Sequence, residues 1–133
     1  MENSKSVAVL GGGSFGTVLA NLAASNGYNV SLWVRDSEQA LRINSEGANT
    51  TYHPELKLSK NIIASDNLKE VLNNKSIIFI ATPSIVFEQI VIRVSDYIDE
   101  KPYLVSCTKG ILDDPFRPLS DIISSKLNNT IGV

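Results

Sequence analysis

Ser6-Val7-Ala8-Val9-Leu10-Gly11-Gly12-Gly13-Ser14-Phe15-Gly16-Thr17 is the stretch whose reading decides the fold. Ser6 to Leu10 is a short apolar run rich in β-branched residues. It lacks polar alternation, the pattern of a strand covered on both faces. The run ends in glycines and is followed by Thr17 to Ala24, an alanine-rich segment of helical character that stops at Asn26-Gly27. Within the turn stands Gly11-x-Gly13-x-x-Gly16. That spacing alone is weak, because glycines collect in many tight turns. Between a strand and a helix it becomes informative, since each glycine then has a physical task. Gly11 permits the turn, Gly13 lets the backbone approach a pyrophosphate, and Gly16 lets helix pack on strand. The helix N-terminus behind them offers unpaired N–H groups and partial positive charge. Gly11, Gly12, Gly13, Ser14, Phe15 and Gly16 are therefore candidate phosphate-cradling residues.

Outward from this turn the chain alternates. Asn29 to Val34 reads as a second strand, and Ser37 as the N-cap of a helix through Glu38 to Ile43. Gly47 to Lys60 has no clean period, contains Pro54 and reads as a loop. Asn61 to Ala64 is a short strand, with a helix around Leu68 to Leu72. Ser76 to Ala81 is the clearest buried strand, stopped by Pro83, and Ile85 to Tyr97 has helical spacing. Tyr103 to Ser106 is a strand, Pro118 to Leu127 a helix, and Thr130 to Val133 the opening of another strand. Such alternation predicts an α/β fold: a doubly wound, mainly parallel sheet of Rossmann type, with residues 1–133 forming one NAD(P)-binding domain.

The totals agree with this and exclude much else. The chain has 133 residues, 43% hydrophobic and 20% charged, with a formal net charge of -2. No broad basic field argues for nucleic acid or an anionic membrane. No apolar run approaches the ~20 residues of a membrane span. Strand residues begin so close to Met1 that a signal peptide is not expected. One cysteine, Cys107, and one histidine, His53, offer no disulfide and no zinc spacing, so no metal is expected. These features point to a cytoplasmic protein.

A site of this kind chooses its dinucleotide at the tip of the second strand, about 20 residues after the glycines. Here the sequence reads Leu32-Trp33-Val34-Arg35-Asp36. Arg35 offers a guanidinium for a 2′-phosphate and a stacking plane for adenine, which favours NADP(H). Asp36, an acceptor for ribose hydroxyls, leaves NAD(H) open.

Several further stretches narrow the field. Gly11 to Thr17 with Leu32 to Asp36 resembles the bacterial NAD(P)-dependent glycerol-3-phosphate dehydrogenase family. So does the order Asn44, Tyr52-His53-Pro54, Leu58, Asn61-Ile62. Ala81-Thr82-Pro83-Ser84 is similar to the family's turn after the fourth strand, and Cys107-Thr108-Lys109-Gly110-Ile111 to its Thr-Lys-Gly turn after the fifth. The similarity runs along the whole chain. It implies reversible hydride transfer between dihydroxyacetone phosphate and sn-glycerol 3-phosphate, feeding phospholipid synthesis. It places Ser14 and Phe15 at the pyrophosphate, Arg35 at the adenosine end and Pro83 beside the nicotinamide. Lys109 would meet both cofactor and substrate, where a cation suits the substrate phosphate and the charge developing on the carbonyl.

The family continues beyond the position of Val133 into an all-helical domain that supplies its catalytic lysine, further phosphate contacts and much of a homodimer interface. The resemblance thus assigns no catalytic residue to this chain, which is expected to bind dinucleotide and to turn over little substrate. A short final strand with an open edge would favour self-association.

Other residues have plainer readings. His53 has no partner carboxylate or nucleophile nearby in sequence and reads as structural. Cys107 reads as a small residue at a strand end, Trp33 as packing on the second strand, and Asp113-Asp114 as a solvated turn rather than a metal site. Two alternative functions fit the glycine turn. One is a related NADP-dependent dehydrogenase such as a ketopantoate reductase, against which the Tyr52-x-Pro54 and Thr108-Lys109-Gly110 segments argue. The other is a stand-alone module sensing NAD(P), since fold alone does not settle function.

Overall fold

The computed structural model describes residues 6–98, 102–107, 111–113, 116–118 and 131–132. Strand β1 (Ser6–Leu10) leads through helix α1 (Ser14–Ser25) to β2 (Asn29–Trp33) and α2 (Ser37–Glu46). After the long loop come β3 (Ile62–Ser65), α3 (Leu68–Leu72), β4 (Ile77–Ile80), α4 (Ser84–Tyr97) and β5 (Tyr103–Ser106). Strands β6 (Ile111–Asp113), β7 (Phe116–Pro118) and β8 (Ile131–Gly132) follow. The main sheet has the order β3-β2-β1-β4-β5-β8. Every pairing in it is parallel, with Val7 set between Val30 and Ile77 and Leu10 between Trp33 and Ile80.

Alternation along the strands divides the core in two. Val7, Val9, Val30, Leu32, Val34, Ile62 and Ala64 pack on one face with Ala20 and Ala24 of α1 and Ala40 and Ile43 of α2. Ala8, Leu10, Trp33, Ile78, Ile80 and Leu104 pack on the other with Leu68, Val71 and Leu72 of α3 and Phe87, Ile90, Val91 and Val94 of α4. Both faces of the central strands are apolar because both are covered, which is why these strands lack a polar period. The chain winds outward from β1 through β2 to β3, then crosses to β4 and winds the other way. The C-terminal ends of β1 and β4 therefore border the point where the winding reverses.

The expected doubly wound α/β fold is thus observed. Its differences from the sequence reading have local causes. Helix α1 begins at Ser14, within the glycine turn, because Gly13 already accepts from the Thr17 backbone N–H at 3.1 Å. The N-cap of α2 is Asp36, not Ser37: Asp36 is extended, and its Oδ1 accepts from the Glu38 N–H at 2.9 Å. Strands β6 and β7 form an antiparallel pair that period reading did not anticipate. Pro118, expected to open a helix, is the last residue of β7, and the rest of that expected helix lies outside the described residues.

At the sheet edge, β3 is finished by a side chain. Asn61 and Ser65 carbonyls accept from the Val30 and Val34 N–H groups, so these alternate residues face β2 and Ala64 faces outward. Asn44 of α2 satisfies both outward groups: its Nδ2 donates to Ala64 O, and its Oδ1 accepts from Ala64 N, each at 2.8 Å. Removing this amide by Asn44→Ala should cost about 1 kcal/mol, because both bonds are lost but water can replace part of them. Urea unfolding measures the loss, and faster amide exchange at Ala64 locates it. An unchanged midpoint would show that the pair contributes nothing net.

Candidate functional site

The glycine turn follows from contacts that exclude larger residues. Gly11 has φ +124°, a conformation side chains rarely adopt, and a Cβ there would stand 2.6 Å from Ala81 O. A Cβ on Gly16 would collide with Gly11 O, and one on Gly12 with the Val34 side chain. Gly13 differs: a Cβ there would meet no protein atom within 4 Å.

The turn delivers the start of α1 to a cleft. Among the described helices of eight or more residues, α2 is capped by Asp36 and has Glu38 in its first turn. By contrast, α1 and α4 have no side-chain cap and no acid in their first turns. Their N-terminal positions, Gly13 and Pro83, both line one cleft of about 950 Å³. Its walls come from Gly11 to Gly16, then Trp33, Arg35, Asp36, Gln39 and Tyr52, then Ala81 to Pro83 and Val86, and finally Ser106 and Cys107. These residues end or follow β1, β2, β4 and β5, so the cleft lies across the carboxyl ends of the strands at the winding reversal, where open α/β sheets bind ligands.

The expected residues Gly11, Gly12, Gly13, Ser14, Phe15, Gly16, Arg35, Asp36 and Pro83 are brought together on this cleft. Lys109 lies outside the described residues. Phe15 is 57% exposed and Arg35 and Asp36 are exposed at the rim. Trp33 is buried, with Nε1 donating to Asp66 O at 3.1 Å, and the Arg93 guanidinium sits 5.6 Å from its ring centroid. Cys107 reaches the cleft as well, and burial pushes its thiol above the usual range, which keeps it protonated near neutrality.

The sequence reading missed the layer behind the turn. Asn49 is 1% exposed and donates through Nδ2 to Gly12 O and to Thr17 Oγ1, each at 2.8 Å. Gln39 Nε2 donates to Gly12 O at 3.0 Å and to Asn49 Oδ1 at 3.2 Å. His53 Nε2 lies 3.0 Å from Ser14 O and 3.1 Å from Ser14 Oγ. A carbonyl oxygen only accepts, so Nε2 carries the hydrogen. Ser14 Oγ then accepts a share of it, and its own hydrogen is free of His53. Tyr52, half-exposed, also joins the cleft. The Tyr52-x-Pro54 segment placed this loop in the resemblance, but no local period announced that it folds back on the glycines.

Among the described residues, no group of three or more His, Cys, Asp and Glu is placed to hold a metal ion. No helix among them is long and apolar enough to cross a membrane.

A parallel sheet wound both ways from β1, with a glycine turn opening a helix at the reversal, defines the Rossmann class of α/β proteins. Residues 6–133 match the family described as NAD-dependent glycerol-3-phosphate dehydrogenase N-terminus, and the chain belongs to it. It is 41% identical over 133 residues to glycerol-3-phosphate dehydrogenase [NAD(P)+] of Alcanivorax borkumensis, a match covering 99% of this chain and 39% of that protein. Glycerol-3-phosphate dehydrogenase from Coxiella burnetii superposes with a TM-score of 0.89 at 30% identity, covering 96% of this chain and 39% of the other. A ketopantoate reductase from Ralstonia eutropha also superposes, with a TM-score of 0.73, but at 14% identity it shares the fold alone. The chain thus spans about two fifths of the length of these relatives.

The two kinds of glycine separate experimentally. Gly16→Ala should destabilise the fold by about 2 kcal/mol or more, since backbone must move to admit the methyl group. Gly13→Ala should stay within about 0.5 kcal/mol of the parent. Thermal unfolding of both variants checks the contrast, and equal losses would refute the steric assignment.

Proposed function

We propose that this chain is the NAD(P)-binding part of a glycerol-3-phosphate dehydrogenase that interconverts dihydroxyacetone phosphate and sn-glycerol 3-phosphate, with NADP(H) preferred over NAD(H). The observation that carries this reading is the cleft at the winding reversal, walled by uncapped helix starts at Gly13 and Pro83 and rimmed by Arg35. The site fits a dinucleotide. Gly13 leaves open space where a pyrophosphate needs close approach, and the first turn of α1 brings no acid to repel it. The α1 N–H groups and the Ser14 hydroxyl would bind the pyrophosphate, and Phe15 would cover it.

At the adenosine end, Asp36 already spends one carboxylate oxygen on capping α2, whereas Arg35 stands exposed beside it. That division supports a guanidinium reading a 2′-phosphate, while the second oxygen of Asp36 still suits a ribose hydroxyl. A nicotinamide bound here supplies or accepts the hydride. Pro83, at the start of α4, would flank that ring. In the sequence Lys109 follows Cys107 by two residues, and we assign it to the substrate phosphate and the carbonyl oxygen, where positive charge stabilises reduction.

Calorimetric titration with NADPH and NADH tests the reading. NADPH should bind more tightly. Arg35→Ala should weaken NADPH about tenfold or more, the loss of a charge-assisted pair, and leave NADH nearly unchanged. Equal weakening of both would remove the 2′-phosphate role of Arg35. Failure of the parent chain to bind either dinucleotide would overturn the proposed cofactor site.

A further inference from the structure

Glycine turns carry an inherent problem. The residues that allow close approach to a phosphate are also those whose peptide units rotate most freely. A phosphate-binding turn must present N–H groups, and a rotated peptide would present carbonyl lone pairs instead. Some other part of the molecule has to fix the rotation.

We propose that Asn49 is the positioning residue that fixes the glycine turn for pyrophosphate binding, acting through Gly12 O and Thr17 rather than by touching the ligand. The proposal rests on the dinucleotide reading of the cleft and deepens it. Asn49 is buried behind the turn and is not among the cleft-lining residues. Its orientation is set by its partners: Gly12 O only accepts, so Nδ2 faces it, and Oδ1 is left to accept from Gln39. Gly12 O is thereby held toward the interior by two donors, Asn49 at 2.8 Å and Gln39 at 3.0 Å. The peptide is planar and trans, so a carbonyl held inward turns the Gly13 N–H outward.

The next peptide is held in the same way. Thr17 Oγ1 accepts from Asn49 Nδ2 and donates to Gly13 O at 2.7 Å, and Thr17 N donates to the same oxygen at 3.1 Å. That fixes the Ser14 N–H. Successive N–H groups turned to one side form an anion-binding concavity. The loop is itself anchored, because Asn49 O accepts from Tyr52 N at 3.1 Å and His53 N at 2.8 Å. Asn49 thus holds one peptide directly, together with Gln39, and braces the Thr17 hydroxyl that bonds the next.

The test compares NADPH with adenosine 2′-monophosphate, which carries the 2′-phosphate but no pyrophosphate, using Asn49→Ala, Thr17→Val and Thr17→Ser. Asn49→Ala and Thr17→Val should each weaken NADPH about tenfold, while leaving binding of the monophosphate unchanged, and Thr17→Ser should restore NADPH binding. A purely structural role would weaken both ligands together. If Asn49→Ala does not fold, the two Thr17 variants decide, since Val matches Thr in shape and lacks only the hydroxyl. Folded Asn49→Ala or Thr17→Val that binds NADPH as the parent does would overturn the positioning role while leaving the dinucleotide reading intact. A parent chain that binds the monophosphate but not NADPH would overturn both.

Discussion

Helix α1 lies so close to the end of β1 that Gly16 and the Gly11 carbonyl leave no room for a methyl group between them. The site geometry depends on this approach. It sets the first turn of α1 beside Gly11, which the β1–β4 ladder holds against Ala81 just beyond β4. A helix one methyl farther away would still cover the sheet, but its first turn would stand farther from the ends of β1 and β4. The apolar packing that covers both faces of the sheet is permissive of many tilts. The contact at Gly16 selects one.

The two core layers then hold the selected arrangement. On the α1–α2 side Ala20, Ala24 and Ala40 pack against the valines, Leu32 and Ile62 of the strands. On the α3–α4 side the space is filled by larger groups, among them Phe87 and Trp33. This asymmetry accords with the site. The side carrying the turn needs helix close to strand, which alanine allows, whereas the opposite side needs volume. Trp33 belongs to both regions, since it packs in the core and is one of the residues lining the cleft.

The sheet was legible in sequence because its signals are local: continuous apolar strands, glycines at fixed spacing, and stops at Asn26-Gly27 and Pro83. For the same reason the cleft-lining residues from Gly11 to Gly16, and Arg35 and Asp36, could be named from their position after a strand. What escaped depends on contacts distant in sequence. Asn49 and Thr17 are separated by 32 positions, and His53 and Ser14 by 39. A loop without period gives no sign of what it folds onto. The misplaced cap of α2 has another cause: Asp36 and Ser37 are adjacent and both favour capping, so only backbone geometry separates them.

The amide of Asn44 has a consequence for the molecule's life in a crowded solution. An outer strand of a parallel sheet offers its spare hydrogen-bonding groups to any extended segment that drifts past, and such recruitment is how soluble chains begin to stack into insoluble ones. At Ala64 both spare groups are already taken by a side chain of the same molecule. A passing strand would have to displace two bonds to gain two, and so gains nothing there. One asparagine on α2 thereby gives the β3 edge a protection against misassembly that is independent of ligand.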